Sequence, residues 1–480
     1  MTNPCRQILG VMGLVLGLAL GRTGHSQSTA SVEAPVPVVP ALPAYKQLRY
    51  EEDYRYLRDP GRRTDFFDWV KYVPFDRTSN WWGTLGGEIR LRYEYFENPQ
   101  WGAASQDPNG YLMQRYMVHA DVHYQDMFRV FTQFKSGLID DRVGGPRPTD
   151  QDNLDLHQLF VDGRIHWQDE ASFTLRAGRQ ELNYGSSRLV SFRESPNVRL
   201  SFDGVKGMLQ YESWRVDAFA ARPVETDPGT FDDSTDRHQM LWGVYAVTPL
   251  GFLPGGNADL YYLGLERDEA TFDQGTAREL RHSLGTRLWG RRGWLDWNFE
   301  LLWQFGEFGD GNISAWTAAS DTGVTFTNLL FRPRFSLKAN IASGDKHPND
   351  PDLNTFNALY PRGAYFNELS LIGPANFMDL HPAAELQLTR KMTCGVDMDF
   401  FWRESTEDGI YGNAVNLVRS GAGTDARYIG SAVCAFLEWR LQRHLSLRFD
   451  YGHFFAGEFI KASGPGEDVD YFSTWVTFRF

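Results

Sequence analysis

Arginine recurs through one short stretch of this chain with acidic residues set between. Arg179, Arg188, Arg193 and Arg199 fall within about 20 residues, Lys206 follows, and Glu181, Glu194 and Asp203 are interspersed. A guanidinium pairs bidentately with a carboxylate and stays charged at any working pH, so such a row suits binding or passage of an anion. At 4 Å one charge pair is worth about 1 kcal/mol in bulk water and about 4 kcal/mol at an effective dielectric near 20. A ladder of such modest sites lets a ligand move on, where one deep site would trap it. The same residues can equally close salt bridges within a wall. Gly178 and Gly185 interrupt the local pattern, so this stretch is expected to leave a wall and fold inward.

Other groups carry chemistry more weakly. Arg332, Arg334 and Lys338 lead on to Lys346, and Arg334 and Lys338 share one parity. Arg90 and Arg92 share a polar parity in an earlier segment, as Arg115, Arg129, Arg403 and Arg448 do in theirs. The loop Pro348-Asn-Asp-Pro-Asp352 carries carboxylates of the kind that bind Ca²⁺, although an ordinary acidic surface loop is the expected reading. His119 and His123 flank Asp121 on one parity, with lumen hydrogen bonding as their expected role. No His-Glu-x-x-His, Cys-rich ligand set or activated serine accompanies them. Neither catalysis, nor a cofactor, nor a metal centre is therefore expected.

What positions these residues is a repeated alternation. Ile89, Leu91, Tyr93 and Tyr95 oppose Glu88, Arg90, Arg92 and Glu94. Leu295, Trp297, Phe299, Leu301, Trp303 and Phe305 oppose Asp296, Asn298, Glu300 and Gln304. Phe335, Leu337, Ala339 and Ile341 oppose Arg334, Ser336, Lys338 and Asn340, and Val396, Met398, Phe400 and Trp402 oppose Asp397, Asp399 and Arg403. That is the period of strands with different surroundings on their two faces. No window holds 18 consecutive apolar residues, and the mean hydropathy is −0.43, which excludes transmembrane helices. Barrel strands escape that criterion, because each needs only about 9–11 residues with alternate ones polar. The chain is thus expected to be all-β, a transmembrane antiparallel β-barrel of about 16 to 18 strands with 18 favoured. Aromatic pairs such as Trp81-Trp82 and Tyr95-Phe96 suit the two membrane interfaces.

Residues 1–26 read as a signal peptide: Arg6, the apolar run Ile8 to Leu20, then small residues ahead of Gln27. Residues 27–44 form a Pro-rich linker, 45–80 a periplasmic N-terminal segment that folds back into the barrel mouth or hangs as a tail, and 81–480 the barrel. Cys394 and Cys434 fall out of register if their segments pair, so both read as small packing residues. The net charge of −13 argues against nucleic acid as a partner.

The alternating ending Tyr471-Phe-Ser-Thr-Trp-Val-Thr-Phe-Arg-Phe480 resembles the last strand of bacterial outer-membrane barrels, which the barrel assembly machinery reads. Arg176-Ala-Gly-Arg-Gln-Glu-Leu-Asn-Tyr-Gly185, Arg188 to Gly204 with its Pro-Asn-Val-Arg block, and Leu85-Gly-Gly-Glu-Ile-Arg-Leu-Arg-Tyr-Glu-Tyr-Phe96 together resemble the alginate export family of outer-membrane porins. The likeness runs from about residue 45 to the end. It implies a monomeric, anion-selective channel in the bacterial outer membrane, in contact with its lipid. Such a channel passes an anionic polysaccharide such as alginate outward through an Arg-lined constriction, with periplasmic polysaccharide-export proteins as further candidate partners. The alternative is a general uptake porin for small anions or oligosaccharides.

Overall fold

The computed structural model describes residues 43–168 and 171–480. The signal peptide and residues 27–42 of the linker lie outside the described residues. Residues 46–480 form one compact unit.

Twenty strands share one sheet. Two are two-residue additions, Val73–Pro74 and Ser234–Thr235. The other eighteen run antiparallel and close when the first, Trp81–Glu97, pairs with the last, Val469–Arg479. At that seam Glu88 faces Arg479 and Glu97 faces Asp470. Gly87 and Phe480 exchange both backbone hydrogen bonds, at 3.0 and 3.1 Å. Closure matters because lipid cannot satisfy the N–H and C=O groups of an open edge. The strands outrun the hydrocarbon: Trp81–Glu97 has 17 residues and Gly275–Arg292 has 18, against about 9–11 needed to cross.

The alternation read from the sequence is the alternation of the wall. Val118, Phe299, Leu301, Trp303, Phe335 and Leu337 are exposed outward, while Glu88, Arg90, Arg92, Glu94, Gln304 and Asp399 are buried inward. Both cysteines are free. Cys394 lies opposite Leu437 and Cys434 opposite Asp397, so their side chains take opposite faces of the wall.

Turns at one end are short, as at residues 125–127, 212–213 and 441–444; at the other end they include residues 181–201, 343–376 and 403–427. Two of the long ones turn inward and meet. Tyr360 N donates to Leu189 O at 2.8 Å and Arg362 N to Ser187 O at 3.0 Å. The break before the first of them is built by Gly178, whose φ of +127 favours glycine and where a Cβ would stand 2.2 Å from Leu159 O. The inward loops bring an apolar core with them. Leu182, Tyr184, Val190, Leu353, Phe356 and Tyr360 pack against wall residues Phe202, Phe219, Tyr245 and Tyr261. Tyr184, Tyr245 and Tyr261 stack successively with ring centroids 5.0 Å apart. A barrel of this size is wide enough for water, and here part of its lumen is packed like a protein interior.

The segment after residue 45 packs across the end with the short turns, the periplasmic side in such barrels. Arg49 donates to Gly87 O at 3.0 Å and Phe480 O at 2.9 Å, so it reads both edges of the seam. Tyr50 sits edge-on to Phe131 and Phe160 and donates to Glu181 O at 3.1 Å. The short helix Asp68–Lys71 is tied by Lys71 Nζ to Leu85 O, 2.9 Å, and by Thr84 Oγ1 to Lys71 O, 2.7 Å.

Candidate pore constriction

Three cavities follow one another through the lumen. The outer one, about 540 Å³, is lined by residues of the long turns together with Arg92, Arg142, Arg147 and Arg193. Two inner ones, about 310 and 430 Å³, share Arg362, Arg448 and Glu368. Glu368 lines all three, and Ser195 and Gly363 line the outer cavity and one inner cavity. The cavities therefore meet at a pinch where Ser195 Oγ donates to Glu368 Oε2 at 2.8 Å and Arg92 reaches the same oxygen at 3.3 Å. Arg193 stands on the outer side of this pinch and Arg362 on the inner side.

The first inward loop, residues 181–201, is held in place by the wall. Arg90 donates to Glu194 O at 2.8 Å, Ser195 O at 3.3 Å and Pro196 O at 2.8 Å. Arg92 donates to Ser195 O at 2.7 Å, and Arg115 to Glu194 O at 3.1 Å. Asn197 Nδ2 reaches three wall or turn carbonyls, those of Gln114, Leu138 and Asp150. Glu194 adds its carboxylate to Arg115 at 2.7 Å, Arg479 at 3.7 Å and Arg199. Burial opposes ionisation of Glu194, but Arg115 and Arg199 outweigh it and hold the carboxyl at about 2.

Charge is balanced in this network. Arg90, Arg92, Arg115, Arg199 and Arg479 are matched by Glu88, Glu94, Glu181, Glu194 and Glu368. The excess comes from the loops. Arg193 Nε donates to Pro361 O at 3.2 Å, and Arg362 donates to Tyr365 O at 3.1 and 2.6 Å. Both are half-buried, and neither forms an ion pair with a carboxylate among the described residues.

The residues singled out from the sequence therefore divide. Arg193 lines the outer cavity. Arg90 and Arg92 are buried and brace the loop, Arg92 also lining the outer cavity, because period-2 parity specifies a face and not what already occupies it; Arg199 is buried within the loop itself. Arg188 pairs with Glu300 at 3.5 Å. Arg179 corrects an expectation: it shares the parity of exposed Leu175 and pairs with Asp203 at 2.9 Å, on the outward face. The irregular backbone at Gly178 does not return its side chain to the lumen. Arg334 faces an inner cavity paired to Asp296 at 2.7 Å, and Lys338 lines the same cavity with no ion pair among the described residues. Arg403 is consumed by loop carbonyls, those of Thr406, Thr424 and Ala426. His123 stacks on Trp82 at 4.0 Å, and His119 on Phe131 at 5.5 Å. In the Pro348–Asp352 loop, Asp352 accepts from Asn312 N at 2.8 Å and Asp350 from Asp352 N at 2.9 Å. Glu368 and Arg362 were not singled out for the pore, because loop residues carry no parity; the only signal was the length of the loop that holds them.

Residues 81–472 match the family described as Alginate export. No curated protein matches the chain. Among solved structures, a BenF-like porin from Pseudomonas fluorescens Pf-5 superimposes with a TM-score of 0.57 at 9% identity, over 83% of this chain and 98% of that one. OccK2 (OpdF) of Pseudomonas aeruginosa in complex with glucuronate gives 0.56 at 10% identity, over 86% and 98%. Acinetobacter baumannii OccAB4 gives 0.56 at 11%, over 82% and 98%. At such identities these neighbours establish the fold alone. The wall is that of an outer-membrane porin, its inward loops leave a narrowed passage, and the match spans nearly the whole barrel: the chain belongs to the alginate export family of the bacterial outer membrane.

Proposed function

We propose that this channel conducts acidic sugar chains built of uronate units, passing them outward as a monomer, with direction set by periplasmic partners and the gradient. The observation that carries this reading is the pair Arg193 and Arg362, on the two sides of the Glu368 pinch, without carboxylate partners where every neighbouring arginine has one. A guanidinium left over from a balanced network remains available to a passing carboxylate. Two such groups in series allow hand-over from one to the next, as conduction requires. Family membership supports the polyuronate. The glucuronate carried by the OccK2 neighbour supports the uronate unit and also favours the second reading, uptake of monomeric acids.

Reversal potentials in a KCl gradient across a planar bilayer, with polymannuronate or glucuronate added, test this. Anion-selective current blocked by the polymer at far lower uronate concentration than by the monomer is expected. Equal weak block by both leaves small-acid uptake as the better account, and cation-selective current defeats both readings.

A further inference from the structure

Three acids and a histidine meet in the wall beside an inner cavity, and the pore reading uses none of them. Asp379 and His381 lie on the strand Phe377–Gln387, Asp397 and Asp399 on its neighbour Met392–Trp402. The ladder between these strands skips two rungs. Leu380 pairs with Phe400, and pairing resumes only at Ala383 with Asp397. Pro382 stands in the gap, and proline has no N–H to give to a ladder. In that gap His381 comes opposite Asp399. His381 Nε2 is 3.1 Å from Asp397 Oδ1, and Nδ1 is 3.1 Å from Asp399 Oδ2. Ligand atoms of Asp379, His381 and Asp399 all lie within 4.8 Å of one another. Asn340 Nδ2 donates to both oxygens of Asp379, at 2.8 and 3.0 Å, and orients it from outside the cluster.

A second observation points to a ligand between these groups. Asp399 is fully buried, and neither of its oxygens receives a hydrogen bond. His381 is 1% exposed, and neither ring nitrogen meets its neighbouring carboxylate at a hydrogen-bonding angle. An ionised carboxylate buried without donors costs several kcal/mol unless a cation lies against it. Lys338, the cross-strand neighbour of His381, acts on the cluster through its field and closes no ion pair with it. In a second buried acidic group among the described residues, Asp152 and Asp233 stand 2.7 and 2.8 Å from Lys135, a full cation, whereas His381 is a cation only when protonated.

We infer that Asp379, His381 and Asp399 bind a divalent transition-metal ion of the Zn²⁺ type, with Asp397, off the other ring nitrogen of His381, orienting the imidazole. An imidazole among carboxylates suits Zn²⁺ and disfavours Ca²⁺ or Mg²⁺, which take oxygen. Bonds of about 2.1 Å in a tetrahedron set ligand atoms about 3.4 Å apart, inside the 4.8 Å that bounds the three groups here. His381 and Asp397 line the cavity of about 310 Å³ that also holds Arg334 and Lys338, which gives the ion a route in from the lumen. The bound ion cancels most of the negative charge of three aspartates beside the anion path. It therefore raises anion selectivity.

The test uses full-length protein in detergent, stripped with a chelator and titrated with Co²⁺ as an optical probe and Zn²⁺ as competitor. One equivalent of Co²⁺ with tetrahedral d–d absorption, displaced by Zn²⁺, is expected, along with an anomalous-scattering peak among Asp379, His381 and Asp399. His381→Ala and Asp399→Asn should each weaken binding at least tenfold, with heat-modifiable gel mobility reporting that the barrel has folded. Micromolar Zn²⁺ should move the reversal potential toward anions in the wild type and not in His381→Ala. No Co²⁺ band and no Zn²⁺ uptake by the wild-type protein overturns the assignment whether or not the variants fold. So does a scattering peak confined to the exposed pair His238 and Asp268, or a Zn²⁺ effect of equal size in folded His381→Ala.

Discussion

Replacing Arg90 with methionine separates two roles that arginine can play in a pore. Methionine keeps much of the bulk and the contact with Trp475, whose ring lies 4.9 Å from the guanidinium carbon. It removes three hydrogen bonds to the carbonyls of Glu194, Ser195 and Pro196. Bonds from a charged donor net about 1.5–3 kcal/mol each, and three that share one loop tip sum to less than three times that. Arg115 and Asn197 still hold the tip, so a loss of about 3–6 kcal/mol in docking is a fair scale. At 1.4 kcal/mol per decade, the undocked population rises by about two to four orders of magnitude. Single-channel recording should show larger open-channel noise and longer excursions to higher conductance, with modest change in ion selectivity. A quiet channel of unaltered conductance but reduced anion preference would refute the bracing role and put Arg90 on the ion path.

Further outcomes follow from the same geometry. Removing the loop charges, Arg193→Met with Arg362→Met, should cut the anion-to-cation permeability ratio severalfold without added noise, since a charge seen at 4 Å is worth about 1–4 kcal/mol; unchanged reversal potentials would place selectivity elsewhere. Glu194 carries its own pH signature. Its folded value of about 2 lies below the ordinary glutamate range near 4.3, so its contribution to loop docking is complete above that range and is lost as pH falls toward 2. Channel noise should rise between about pH 4 and pH 2, and Glu194→Gln should show that noise at neutral pH; a variant quiet at pH 7 contradicts the linkage. Gly178→Ala forces a Cβ against the carbonyl of Leu159 at a φ that L-residues avoid. Folded-barrel yield on heat-modifiability gels should fall, and normal yield would mean that the bulge relaxes freely.

The wall was legible in the amino-acid order because each barrel strand meets two solvents. Leu301 in lipid and Glu300 in the lumen are adjacent in the chain, so a period of two records the architecture residue by residue. The same parity placed Arg90, Arg92 and Lys338 inward and kept Cys394 and Cys434 apart. The composition likewise excluded spanning helices, and Gly178 marked where the chain leaves the sheet. Tertiary structure alone decided what the lumen does. Residues 181–201 and 343–376 have no period, and several of their partners lie more than 100 residues away, as when Arg90 finds Pro196 and Tyr360 finds Leu189. Whether an arginine braces a loop or is left without a carboxylate depends on which carboxylates and carbonyls the tertiary fold brings to it. Arg199 and Arg193 stand six residues apart in one run. Arg199 is neutralised by Glu181 and Glu194, while Arg193 has only a carbonyl. The meeting of His381 with Asp399 likewise needed two strands to align across a gap made by one proline, which no pattern within either strand records.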